Sequence, residues 1–312
     1  KSIIKVIARN IENPAFLTIS PDSNFIYSVS ESGEASSINA FRFEKSKAKL
    51  QPLNSVSAGG AGPCYIDASD KHVVTANYAG GSLVVFGRKN DGSLTEPIQI
   101  IPHKGSSIDL KRQTKPYVHQ AIFSPCYQYV FTNDLGTDFM HAYHYNPNAD
   151  KKILLPADSI KLKSGSGPRH LVFNKTGKVI YAVQELDGTV SVIGFENNKL
   201  KLMQETTLDL QKSFENAAAD IHLSPDGKFL YVTNRGTAQN ITCFKVLKNG
   251  TLKFIQQLPT GASWPRNFTL TADGKYIFIG NQHSNAITVF SRNVQSGKMK
   301  NTGFHIDIPS PV

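Results

Sequence analysis

One unit of about fifty residues is written six times along this chain, and a repeat of that length leaves few folds open. The clearest copy begins Gly167-Pro168-Arg169-His170-Leu171-Val172-Phe173, turns at Thr176-Gly177-Lys178, and continues Val179-Ile180-Tyr181-Ala182-Val183-Gln184-Glu185. Its relatives start near Asn13-Pro14, Gly62-Pro63, Lys115-Pro116, Asn216-Ala217 and Trp264-Pro265, so the starts recur every 48 to 53 residues. No linker interrupts them.

Within each copy the first apolar run ends in a turn signal such as Ser20-Pro21-Asp22, Ser224-Pro225-Asp226-Gly227 or Ala272-Asp273-Gly274. A second strand follows, as in Phe229-Leu230-Tyr231-Val232-Thr233, then a third like Ala286-Ile287-Thr288-Val289-Phe290 and a fourth like Leu252-Lys253-Phe254-Ile255. These β-branched and aromatic runs have strand length, and no helical period separates one copy from the next. Four antiparallel strands per copy predict an all-β fold, a β-propeller of four-stranded antiparallel blades forming a single domain over residues 1–312. Lys1 to Arg9 reads as a fourth strand without its first three, and Ile306 to Val312 stops where another first strand is due. The expectation is therefore a seven-bladed propeller whose closing blade is incomplete in this chain.

Composition narrows the function classes. No apolar run approaches the roughly 18 residues that span a bilayer, which predicts a soluble chain with no membrane partner. Basic residues outnumber acidic ones 34 to 24, a net charge of +10 that favours an anionic partner. The lysines are scattered through turns without a basic helix or nucleic-acid motif, so the expected partner is a small anion and not nucleic acid. Cys64, Cys126 and Cys243 are odd in number and far apart, which disfavours a disulfide framework or a paired-cysteine zinc site and leans towards the cytoplasm.

Antiparallel strands joined by a tight turn bring the start of the first strand beside the end of the second, and radial repetition gathers those ends at one opening. Aligning the copies places Ala15, Cys64, His119, Arg169, Ala219 and Arg266 at one first-strand position. The next carries Phe16, Tyr65, Gln120, His170, Asp220 and Asn267. At the end of the second strand stand Ser30, Asn77, Asn133, Gln184, Asn234 and Asn281, followed by Glu31, Tyr78, Asp134, Glu185, Arg235 and Gln282. Amides at strand ends also serve exposed backbone, and an Arg and a Glu can form a plain ion pair. A His, several Arg and carboxylates converging on one mouth nevertheless mark a functional site.

The segments Gly167-Pro168-Arg169-His170 with Gln184-Glu185-Leu186, and His222-Leu223-Ser224-Pro225-Asp226-Gly227 with Thr233-Asn234-Arg235-Gly236, resemble the propeller 6-phosphogluconolactonases. This family includes fungal carboxymuconate-cyclising enzymes. Pro265-Arg266-Asn267-Phe268, Asn281-Gln282 and Ile308-Pro309-Ser310-Pro311-Val312 extend the resemblance over nearly the whole chain. It implies a seven-bladed ring and hydrolysis of a phosphorylated sugar lactone to 6-phosphogluconate. It further implies catalytic roles for His119, Arg169 and Glu185, with a further Arg most like Arg235.

On this reading Glu185 or His119 activates water and the other serves the leaving ring oxygen, while Arg169 stabilises the oxyanion. His170, Arg235 and Arg266 are expected to hold the phosphate, with Asn234, Asn281 and Gln282 beside them. No cofactor and no metal are expected, and the chain is read as a monomer or weak homodimer. Three rivals are a lactonase or cyclase for a carboxylated or other unphosphorylated substrate, a calcium-dependent lactonase using Glu31, Asn77, Asp134 and Asn234, and a non-catalytic anion-binding propeller.

Overall fold

The computed structural model describes residues 11–210 and 215–312, so the strand expected over Lys1 to Arg9 lies outside the described residues. Twenty-four strands form six four-stranded antiparallel sheets, each running first to fourth in chain order. The six are the six sequence copies. Their first strands are Leu17–Ile19, Pro63–Ala68, Val118–Phe123, Pro168–Phe173, Ala218–Leu223 and Pro265–Leu270, and they head blades one to six below. The chain divides into two compact units, Lys1–Ser164 with blades one to three and Gly165–Val312 with blades four to six.

Burial grades across each blade. The second strands His72–Asn77 and Phe229–Asn234 are buried at every residue, which explains their continuous apolar runs: both faces are covered. The fourth strands, such as Leu94–Pro102, alternate half-buried and exposed residues and form the outer edge. Within each unit the first strand of one blade packs beside the first strand of the next. The apolar cores lie between successive blades, as where Tyr181, Val183 and Val190 of blade four meet Ile221, Leu230 and Val232 of blade five. No helix among the described residues is long and apolar enough to cross a membrane.

A repeated clamp locks neighbouring blades. The Tyr27, Tyr181 and Tyr231 hydroxyls donate to the carbonyls of Gly92, Gly250 and Gly297 in the following blade at 3.0, 2.8 and 2.7 Å. In two of the three, an arginine adds to the clamp. Arg88 lies over the Phe25 ring and pairs with Asp22, and Arg292 lies over Phe229 and pairs with Asp226. Tyr and Gly thus form one packing unit that recurs in these three clamps, with Phe25 or Phe229 against the glycine in two and Val179 in the third.

The first strands also share an irregularity. In blades two to six their register against the second strand slips near its start. In blade three Val118 and Gln120 face Asp134 and Asn133, so His119 has no opposite residue; in blade six Arg266 stands likewise between Pro265 and Asn267. Arg169 and His170 together face one residue in blade four, as Ala219 and Asp220 do in blade five. A bulge of this kind bends the strand and re-aims the added side chain.

The Gly297 clamp is tight enough to test. A methyl at Gly297, where φ is +73°, would lie 2.2 Å from the Phe229 ring. Gly297→Ala is expected to lower stability by roughly 1–3 kcal/mol through overpacking, with Arg292→Met acting in the same direction. Thermal unfolding unchanged in both would show that the clamp does not hold the blades.

Candidate active site

The C-terminal unit brings together the charged residues that the bulges and strand ends supply. Arg169 comes from the bulge of blade four, Glu185 and Arg235 follow the second strands of blades four and five, and Asp220 comes from the bulge of blade five. Glu185 Oε2 accepts from Arg169 Nε at 3.0 Å and from Arg235 Nη2 at 2.9 Å. The backbone fixes both guanidiniums further. Arg169 Nη1 donates to Ala219 O at 2.6 Å, and Arg235 Nε donates to Ala217 O at 2.8 Å. With side chains this buried, the geometry is set before a ligand arrives.

A second network centres on Asp220. Its Oδ1 accepts from His170 Nδ1 at 2.9 Å and from Ile221 N, and its Oδ2 accepts from His222 Nε2 at 2.9 Å and from Phe268 N of blade six. The carboxylate therefore ties blades four, five and six together. Burial opposes its charge, but His222 and His170 outweigh that and hold its pKa far below the usual carboxylate range. Burial and the adjoining Arg169 cation push His170 down to about 4, against the pull of Asp220, so its imidazole is neutral at pH 7. Burial and then Arg235 lower Arg169 to about 9, while Glu185 raises it; the guanidinium remains a cation at neutral pH.

Arg266 differs from the other two arginines. It is half-buried, its charge depresses the Arg169 pKa, and it makes no hydrogen bond or ion pair to protein among the described residues. Three guanidiniums thus face two carboxylates, and the excess positive charge rests on the side chain that protein groups do not engage.

The N-terminal unit carries His119, buried at the bulge of blade three. The Cys64 thiol donates to its backbone oxygen at 3.2 Å, and Tyr78 meets the imidazole edge-on with ring centroids 5.4 Å apart. Tyr117 packs on Tyr78 at 4.8 Å, and Arg112 reaches the Tyr78 hydroxyl at 3.5 Å. In the same unit His103, Asp134 and His141 form the one cluster of metal-ligand type among the described residues. Its polar atoms are largely engaged already. His103 Nδ1 meets Asp134 Oδ2 at 2.9 Å, Tyr143 OH meets His103 Nε2 at 3.1 Å, and Asp134 Oδ1 accepts from Tyr117 N and Gly136 N. These bonds satisfy His103 and Asp134 by themselves, and His141 packs against the His103 ring at 4.6 Å.

The other expected ligand residues lie as follows in the C-terminal unit. Asn234 turns into its blade, where Oδ1 accepts from Ala217 N and Nδ2 donates to Asn216, and Asn281 Nδ2 donates to Ile279 O and Thr288 Oγ1. Both are fully buried, and Asn281 Oδ1 has no hydrogen-bond partner among the described residues. His170 belongs to the Asp220 network, and Arg169 Nη1 lies 3.2 Å from its Nε2. Gln282 sits in a short 3-10 turn, Gln282–Ser284, with its backbone nitrogen bonded to Trp264 O.

Comparison with known proteins decides the family. The model of the family described as "Lactonase, 7-bladed beta-propeller" matches residues 2–312. The chain belongs to this propeller lactonase family. A curated 6-phosphogluconolactonase of Formosa agariphila is 37% identical over 93% of this chain and 84% of its own length. One from Bacillus subtilis is 28% identical over 98% and 88%. Among solved structures, the periplasmic gluconolactonase PpgL of Pseudomonas aeruginosa has a TM-score of 0.91 at 32% identity, covering 96% of this chain and 86% of that one.

As a propeller lactonase the chain keeps its charged residues at the positions where the repeat varies. The sequence reading missed the roles of Asp220, His222 and Trp264. Asp220 was visible as a carboxylate at an otherwise varied position, but its histidine partners are joined only by the fold. Trp264, whose ring lies under the Arg235 guanidinium at 5.3 Å, gave only the signal of being the sole tryptophan.

The depressed His170 pKa sets a pH dependence. The unfolded chain takes up this proton near pH 6.5 and the folded chain only near 4, so stability from this group is lost as pH falls through that window. His170→Asn keeps a donor towards Asp220 but cannot titrate. Its stability is expected to fall less than the wild type's between pH 7 and 4.5, measured by urea unfolding; equal losses would contradict a neutral buried His170.

Proposed function

We propose that this chain is a 6-phosphogluconolactonase, adding water to 6-phosphogluconolactone to give 6-phosphogluconate. The observation that carries the reading is Glu185 held between two buried guanidiniums, with the unengaged Arg266 cation in the same unit. The names of the Formosa and Bacillus relatives support the same activity.

Lactone opening needs a proton taken from water, a hydroxyl bonded to the carbonyl carbon, charge stabilisation on the carbonyl oxygen and a proton delivered to the ring oxygen. Glu185 is suited to take the water proton because Arg169 and Arg235 fix its orientation without needing to move during the reaction. Arg169 supplies positive charge to the developing oxyanion from a site shielded from water, where such charge acts most strongly. Arg266 meets the substrate phosphate, and the proton that Glu185 takes from water passes on to the leaving ring oxygen. As the C–O ring bond breaks, the water hydrogen and hydroxyl are both retained in the hydroxy acid. A phosphorylated sugar does not cross membranes unaided, so the substrate places the enzyme in the cytoplasm. A small anion is then its partner, with no nucleic acid and the chain a monomer or weak dimer.

A second reading, a lactonase for unphosphorylated sugar lactones, is favoured by one observation. Arg169 and Arg235 already spend hydrogen bonds on Glu185 and on backbone carbonyls, which leaves Arg266 as the principal phosphate contact. The gluconolactonase name of the Pseudomonas structure accords with it.

Glu185→Gln is expected to cut kcat for lactone hydrolysis by about 10²–10⁴-fold. Arg169→Lys, which keeps charge but loses the two-sided fork, is expected to cut it by about 10²–10³-fold. Full activity in both variants, with circular dichroism showing an intact fold, would remove this mechanism.

A further inference from the structure

The residue before the proline at the head of a first strand is left-handed in four blades. Asn13, Gly62, Gly167 and Trp264 have φ of 42°, 62°, 68° and 67°. The same backbone bond recurs at each: the nitrogens of Glu31, Tyr78, Glu185 and Gln282 donate to the carbonyls of Asn13, Gly62, Gly167 and Trp264. Three of these positions hold Gly or Asn, the residues that tolerate this conformation. The fourth holds the only tryptophan in the chain. A bulky side chain in this region is strained and persists only where its surroundings hold it there.

The surroundings do so at Trp264. Its nitrogen donates to Gln239 Oε1 at 2.6 Å, Gln282 N donates to its carbonyl at 3.0 Å, and Ser263 N donates to Ser284 Oγ at 2.7 Å. Gln239 also donates to Gly236 O, beside Arg235, so one amide ties the Arg235 turn to the Trp264 backbone. The indole stacks on His283 with centroids 4.5 Å apart and planes 17° from parallel. The Arg235 guanidinium lies over the indole at 5.3 Å. Two residues further on is Arg266.

We propose that Trp264 is a positioning residue, a strained aromatic support that fixes the Arg235 guanidinium against Glu185 and walls the anion-binding side of the site. This rests on the lactonase reading above. The Ala217 and Ala218 carbonyls and Glu185 hold the edge of the Arg235 fork, and the indole holds its face, so the cation loses its remaining freedom to tilt while keeping its charge. The strain at Trp264 therefore serves the reaction and not the fold.

The sole tryptophan makes the test direct. Trp264→Gly restores the residue that sister blades use, so thermal unfolding is expected at or above the wild-type temperature. Its kcat for 6-phosphogluconolactone is expected to fall by roughly tenfold with KM little changed, and Trp264→Phe to recover most of the loss. In the wild type, 6-phosphogluconate is expected to shift the tryptophan emission saturably. Trp264→Gly with wild-type kcat, or melting well below the wild type, or emission indifferent to 6-phosphogluconate, would each overturn the proposal. Should the wild type hydrolyse no phosphorylated lactone, the activity reading fails first. The emission titration with 6-phosphogluconate and inorganic phosphate then decides the role of Trp264 by itself: a saturable shift with either upholds the support beside Arg235, and none with both overturns it.

Discussion

Where a left-handed residue and a proline open a first strand, as at Gly62-Pro63, Gly167-Pro168 and Trp264-Pro265, the strand then admits one residue more than its partner can match. Proline has no amide hydrogen to lose at such a place, and the bulge that follows interrupts the ladder with little cost. The inserted residue is released from the in-and-out alternation that packs the rest of the blade. Cys64, His119, Arg169 and Arg266 occupy these positions, so the repeat provides chemically variable sites without disturbing the apolar contacts between blades.

Charge in the C-terminal unit is arranged in two hydrogen-bonded networks. Asp220 centres one network, accepting hydrogen bonds from two histidines and two backbone amides, and so can remain ionised though buried. Glu185 and the Arg169 and Arg235 guanidiniums make the other, rigid because each arginine also binds a backbone carbonyl. A positive excess remains. Removing any one of these partners leaves another buried charge uncompensated, which couples the stability of the unit to the geometry of its site.

The blades were legible because fully buried second strands such as Phe229–Asn234 and the turns before them must recur wherever a blade recurs. Arg169, Glu185, Arg235 and Arg266 were legible because they break a pattern that packing keeps constant. Asn234 and Asn281 stand one residue earlier than Arg235 and Gln282, and that step turns their side chains into the blade; strand-end sequence does not show which way an amide points. The bulges were invisible for the same reason, since an added residue reads like any other in a run of six. Pairings such as Asp220 with His170, fifty residues apart, exist only once adjacent blades are in place.

The most direct measurement is kcat/KM for freshly made 6-phosphogluconolactone beside gluconolactone, with the spontaneous rate subtracted, in the wild type and in Arg266→Met. The account predicts a strong preference for the phosphorylated lactone in the wild type that shrinks by about tenfold or more in Arg266→Met, as expected for loss of a charge-assisted contact to phosphate. Equal rates on both lactones, or a preference untouched by removing Arg266, would contradict it.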